Sequence, residues 1–319
     1  MLRAILLYLS NASWARAIVT GWGLARRMAS RFIAGDEIEA ALQVVKSLND
    51  SGLYASLDHL GENVTNTEES IAATDAYIEI MQRLQETGVR ANCSLKLSQL
   101  GLALDTELAL GNMRCIAKRA REFGITVRID MEDSSTVEDT LAIQRTLHEE
   151  GLTNIGLVIQ AYLYRSEQDV RNLVSSGTRI RLCKGAYNEP ASVAFPKKND
   201  VDANFDRLAS IMIDAALQQG SEPSGGDGTQ PPLAAIATHD EQRIEHARRY
   251  ADQIGLPKSA LEFQMLHGIR TDLQESLAAE GYPVRIYIPY GTEWYPYFMR
   301  RLAERPANLW FFLSAFFKR

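Results

Sequence analysis

Arg179-Ile-Arg-Leu-Cys183 runs directly into Lys184-Gly185-Ala186-Tyr187. The first five residues are too few for a helix and suit one strand of a parallel sheet buried on both faces. The next four form a turn carrying a cation, a glycine and an aromatic ring. Seven other stretches repeat the arrangement: Tyr54–Asp58, Cys93–Leu97, Thr126–Asp130, Gly156–Ala161, Ala234–Thr238, Leu261–Met265 and Val284–Ile288. Longer amphipathic segments alternate with them, among them Ser70–Glu86, Thr106–Glu122, Thr136–Glu149, Val201–Gln219 and Asp240–Ile254. Thr67, Asp105, Ser134, Ser166 and Asp240 stand as helix-capping residues. Eight β–α units in about 250 residues is the count of a (βα)8 TIM barrel, although a doubly wound open sheet alternates in the same way.

The strand ends separate the two folds. An open sheet gathers functional groups at one switch point, whereas a barrel brings all its C-terminal strand ends around one mouth. Here Asp58, Lys96, Asp130, Gln160, Lys184, His239, Gln264 and Tyr287 place a charged or hydrogen-bonding group at or near every end. The reading is an α/β chain with a (βα)8 barrel over residues 51–319 and a helical arm over residues 1–50. Asn188–Asp200, with two prolines and two lysines, reads as a long active-site loop. Gly220–Pro232 precedes a strand, so it falls on the opposite, stability face and reads as a tolerated flexible insertion.

Composition narrows the class. Of 319 residues, 46% are hydrophobic and 23% charged, which excludes a disordered or disulfide-built chain. A net charge of −6 argues against nucleic acid as a partner. Three cysteines without a pairing pattern point to buried free thiols in a reducing, cytoplasmic setting. No apolar stretch is long enough to span a bilayer. Residues 1–35 nevertheless hold five arginines and no acid, with apolar residues at helical spacing. Three readings stand for this arm: a helix packed on the body, a helix peripheral at the inner face of the cytoplasmic membrane, and a transit peptide. The apolar run Leu309–Phe317 reads as a last helix covering the barrel or as a second membrane contact.

No Gly-x-Gly-x-x-Gly follows the first strand, no P-loop occurs, and the five histidines form no metal motif. Tyr297, Arg300, Arg301 and Glu304 fall within an arc of about 100° on one helix face. Two guanidinium groups there form a fork for a carboxylate or phosphate. Arg181 points into the mouth, and Lys184 with the Gly185 backbone suits a phosphate. Lys96 and Asp130 are charges at strand ends that could equally pair with one another as structural groups.

Together these residues resemble the flavin-dependent proline dehydrogenase family, most closely its short monofunctional bacterial form, from about Leu53 to Asn308. The motifs are Ser-Leu-Lys96-Leu-Ser, Arg-Ile-Asp130-Met-Glu, Gln160-Ala-Tyr162, Arg181-Leu-Cys-Lys-Gly-Ala-Tyr187, Ala-Thr238-His239-Asp, Glu-Phe-Gln264-Met-Leu266-His-Gly and Tyr297-x-x-Arg300-Arg301-x-x-Glu304. The resemblance implies a distorted barrel, FAD as cofactor, oxidation of L-proline to 1-pyrroline-5-carboxylate, and electrons passed to a membrane quinone. It implies that Lys96, Arg300 and Arg301 bind the proline carboxylate, that Tyr187, Leu266 and Tyr287 wall the ring, and that Glu62 pairs with Arg300 as a gate. Asp130 would orient the arginines. Arg181 would face the reactive flavin nitrogen, with Met131 and Gln160 beside the isoalloxazine. Lys184, Gly185 and Ala186 would hold the pyrophosphate, Thr238 and His239 other parts of the dinucleotide, and Glu304 a ribose hydroxyl. Asp240 stands where some relatives have asparagine. With no fused aldehyde dehydrogenase expected, a separate pyrroline-5-carboxylate dehydrogenase would take the product.

Overall fold

The computed structural model describes residues 19, 23–61, 64–220 and 227–304. Helix α1 (Gly23–Ala29) and helix α2 (Ile38–Asp50) come first. The alternation then runs β1 (Tyr54–His59), α3 (Thr67–Thr87), β2 (Ala91–Leu95), α4 (Thr106–Glu122), β3 (Val127–Ile129), α5 (Val137–Glu149), β4 (Ile155–Gln160) and α6 (Ser166–Ser175). It continues β5 (Ile180–Cys183), α7 (Lys198–Gln218), β6 (Ala234–Ala237), α8 (Glu241–Ile254), β7 (Leu261–Leu266), α9 (Thr271–Ala279), β8 (Val284–Tyr290) and α10 (Trp294–Glu304). Neighbouring strands pair in parallel, and β8 closes on β1 with Tyr287 opposite Ser56. The open-sheet alternative is thereby removed.

The expected elements hold their order but shift at their ends. Strand β2 stops at Leu95 because Leu97–Leu100 winds into a 3-10 turn, held by the Lys96 N–H on Gln99 Oε1 at 3.0 Å. Asp105 and Asp240 cap their helices as read, each accepting from the backbone N–H two residues on. The other three capping residues are corrected. Asn66, not Thr67, caps α3. Ser134 lies before α5 and bonds Glu189, and Ser166 is already the first residue of α6.

Two layers of side chains result from the strand pleat. Outward-facing Leu57, Leu95, Ile129, Leu182 and Ile286 meet the helices in the main apolar core, each side chain worth roughly 1.5–3 kcal/mol when removed from water. The inward layer is polar: Ser56, Ser94, Arg128, Arg181, Glu262, Gln264 and Arg285 are all buried. Such a filling is stable only if its groups bond one another, and much of it does. Helix α2 belongs to the main core through Ala41, Leu42 and Val45.

Helix α10 packs differently. Its Trp294, Tyr295, Phe298 and Leu302 form a second, separate apolar cluster with Ala29, Phe32 and Ile33 of the arm, Leu60 and Ile269. Residues 1–18 and 305–319, and with them most of the arm's arginine-rich segment and the Leu309–Phe317 run, lie outside the described residues. No described helix is long and apolar enough to cross a membrane.

Three expectations change. The loop after β5 is tied down without lining the cavity: Glu189 accepts from the Ser134 N–H at 2.7 Å, Phe195 packs edge-on against Tyr164 at 4.6 Å, and only Lys198, bonded to Asp202, reaches the partners of Lys184. Of the described residues of the Gly220–Pro232 insertion, 220 and 227–232, the latter six are bonded under the barrel rather than loose. The Gly228 carbonyl accepts from Arg285 Nη1 at 2.8 Å, and the Thr229 carbonyl accepts from the Thr126 N–H at 3.1 Å. Gly228 has φ +68°, and a Cβ there would press on the Tyr54 ring, so glycine is required. Finally, Cys93 is buried and Cys183 partly so, but Cys115 is exposed on the outer face of α4.

Candidate active site at the barrel mouth

Most of the expected site residues come together. A cavity of about 400 Å³ is lined by Lys96, Asp130, Met131, Gln160 and Arg181 from the strand ends, by Lys184 to Tyr187 after β5, and by Thr238, His239, Leu266 and Tyr287. Arg300 and Arg301 of α10 complete it. Glu62 lies outside the described residues, as does the side chain of Glu304.

Arg181 is the centre of the arrangement. Its guanidinium crosses the barrel, donating to Asp130 Oδ1 at 2.8 Å, to Ser94 Oγ at 2.9 Å and to the Gln264 side-chain oxygen. It also lies over the Tyr287 ring, 5.3 Å from its centroid. Asp130 then accepts from the Tyr287 hydroxyl at 2.7 Å through its second oxygen. Burial, reinforced by Asp130, raises the Tyr287 phenol well above its ordinary range, so it stays a donor.

Lys96 is not a bare cation. Its ammonium lies 3.2 Å from Asp58 Oδ1 and 3.6 Å from Asp130 Oδ2. The mouth therefore balances Lys96 and Arg181 against Asp58 and Asp130. The additional positive charge comes from Arg300 and Arg301. Arg301 is buried, with its guanidinium 4.9 Å from the Tyr297 ring centroid. Asp58 stands among the strand ends of the sequence reading with no role assigned; its signal is a carboxylate ending a buried strand.

The turn after β5 is shaped by Gly185. Its φ of +116° favours glycine, and a Cβ would overlap the Tyr162 ring. Lys184 donates to Asp202 at 2.5 Å and to Asp240 at 2.6 Å. Burial pushes these two carboxyls up, but the Lys184 and Lys198 ammonium groups, with the Gln242 N–H on Asp240, together hold both below their ordinary range. The sequence reading missed Asp202, which lies in the first turns of α7 and reaches this site only through the fold. His239 Nε2 accepts from the Leu266 N–H at 3.1 Å, so Nδ1 is the nitrogen that carries the proton. Burial pushes the Cys183 thiol up to about 12, which leaves no thiolate nucleophile there at neutral pH.

A closed (βα)8 barrel with a cationic, aromatic-walled cavity at its C-terminal face has the form of a barrel enzyme. A proline dehydrogenase family model matches residues 41–312, so the chain belongs to the proline dehydrogenase family. It is 41% identical over 319 residues to proline dehydrogenase 1 of Bacillus subtilis, with all of both chains covered. It is 42% identical over 295 residues to proline dehydrogenase of Deinococcus radiodurans, covering 91% of this chain and 90% of that one. Among solved structures, proline utilization A from Bdellovibrio bacteriovorus inactivated by N-propargylglycine matches with a TM-score of 0.78 and 24% identity. That match covers 95% of this chain and 36% of the larger protein, and it bears on the fold.

Proposed function

We propose that this chain oxidises L-proline to 1-pyrroline-5-carboxylate on FAD and delivers the electrons to a membrane quinone, working in the cytoplasm or at the inner membrane face. The observation carrying the reading is the convergence of Arg300, Arg301 and Lys96 on a cavity also walled by Tyr187, Leu266 and Tyr287. Cations suit the carboxylate, and the apolar ring faces suit a pyrrolidine.

The residues fit FAD. Gln160 Oε1 is buried and has no hydrogen-bond partner among the described residues, so it is an acceptor suited to an N–H of the isoalloxazine, with Met131 beside it. Lys184, Gly185 and Ala186 offer a cation and close backbone approach for the pyrophosphate, with Thr238 and His239 nearby. Glu304 remains the expected ribose partner. When bound, FAD supplies the two-electron acceptor for the hydride leaving the ring carbon next to nitrogen. Arg181 is the donor suited to stabilise the negative charge that this transfer creates. Arg300, Arg301 and Lys96 fix the carboxylate and so orient that carbon. The amine must be neutral to lose hydride; its proton goes to solvent, since no described cavity side chain is positioned as a base.

Purified protein is expected to be yellow, and anaerobic proline is expected to bleach its flavin absorption. Protein that releases no flavin on denaturation, or flavin that proline leaves oxidised, overturns the reading.

A further inference from the structure

Beneath the cavity, a line of bonded side chains runs down the barrel axis to its floor. Gln264 is its middle link. Its amide oxygen accepts from Arg181 Nε, and its amide nitrogen donates to Glu262 Oε1 at 2.6 Å. A carboxylate can only accept, so Glu262 dictates which way the amide faces. With the nitrogen turned to Glu262, the oxygen must face Arg181. Glu262 is itself gripped through both oxygens by Arg285, at 2.9 and 3.0 Å. Arg285 Nη1 in turn donates to the backbone carbonyls of Ala55 and Gly228, each at 2.8 Å. Glu262 is fully buried and Arg285 is 1% exposed, so water offers no competing partner.

We infer that Glu262 and Arg285 are positioning residues for Arg181, acting through the Gln264 amide. Neither lines the cavity. Their effect on the reaction is to hold the Arg181 guanidinium in the plane set by Asp130 on one side and Gln264 on the other. Free rotation of that amide would present an N–H to Arg181, donor against donor, and the guanidinium would have to turn away. This inference rests on the flavin reading proposed above.

The test is a double-mutant cycle, because a residue that acts through another loses its effect when the intermediary is removed. Glu262→Asp retracts the carboxylate from Gln264 while keeping the charge that Arg285 needs. Glu262→Met with Arg285→Met removes the acceptor and both charges together, so the Arg285 guanidinium is not left bare, while Arg128 keeps its bonds to the Leu157 and Arg179 carbonyls. Each change is made in the natural chain and in a Gln264→Met background. Measured are kcat for proline, KM for proline and the midpoint potential of the bound flavin. In the natural background, kcat is expected to fall about tenfold, within the usual range of such couplings. KM should be nearly unchanged, and the potential should move to more negative values because a loosely held guanidinium stabilises reduced flavin less. In the Gln264→Met background, the same changes should alter kcat by less than about twofold. Equal losses in both backgrounds, or no loss in the natural one, overturn the inference. Flavin content after denaturation is read in every sample. Absence of flavin from the natural chain strikes the proposed function, whereas a flavin-loaded but additive cycle strikes only the positioning role.

Discussion

Arg301→Ala is expected to raise the KM for proline by about a hundredfold while FAD stays bound. A hydrogen bond to a charged group is worth about 1.5–3 kcal/mol, or about ten- to 150-fold in affinity. Arg301 should lie at the upper end because it is only 9% exposed and its guanidinium rests over the Tyr297 ring. Arg300, on the same helix face, is only partly buried, and Arg300→Ala should give the smaller rise. Steady-state kinetics beside flavin absorption reads both effects. An unchanged KM for Arg301→Ala would remove this residue from the carboxylate clamp.

Asp130→Ala should be the most damaging single substitution at the mouth. Asp130 accepts from Arg181 and Tyr287 and faces Lys96, so its loss strips a carboxylate from two buried cations at once. Breaking a buried pair in this way costs about 3–5 kcal/mol. Thermal unfolding should show that loss. Asp130→Asn keeps the shape and removes the charge, so it should unfold closer to the natural protein and still lose most of its kcat/KM. If Asp130→Ala melts and turns over like the natural protein, the bonded network has no energetic weight.

The barrel was legible because its signals are local. Short apolar runs, helix-length spacers and polar strand ends all lie within a few residues of one another, as from Arg179 to Tyr187. The capping aspartates Asp105 and Asp240 were legible for the same reason. Partnerships across the barrel were not. Nothing near Lys96 announces that Asp58 neutralises it, and nothing near Lys184 points to Asp202. Strands buried on both faces carry no clear alternation, so no period in the sequence marks Arg128, Glu262 and Arg285 as one inward polar row. The floor segment misled in the opposite way. A Gly-Pro-rich composition describes backbone freedom in isolation, while Gly228 and Thr229 hold their places by long-range bonds.

The separation of the two apolar clusters has a dynamic consequence. Lys96, Asp130 and Arg181 are rooted in the barrel core, whereas Arg300 and Arg301 ride on α10, which packs with the arm in the satellite cluster. Small clusters open at lower free energy than a closed sheet. In hydrogen-exchange experiments the α10 amides should therefore lose protection well before those of β1 and β8, and proline should slow their exchange. Slow, uniform exchange across α10 and the strands would join the two into one cooperative unit. With early exchange of α10, the cavity would span a boundary between a rigid body and one that opens first, and substrate entry would leave every strand fastened.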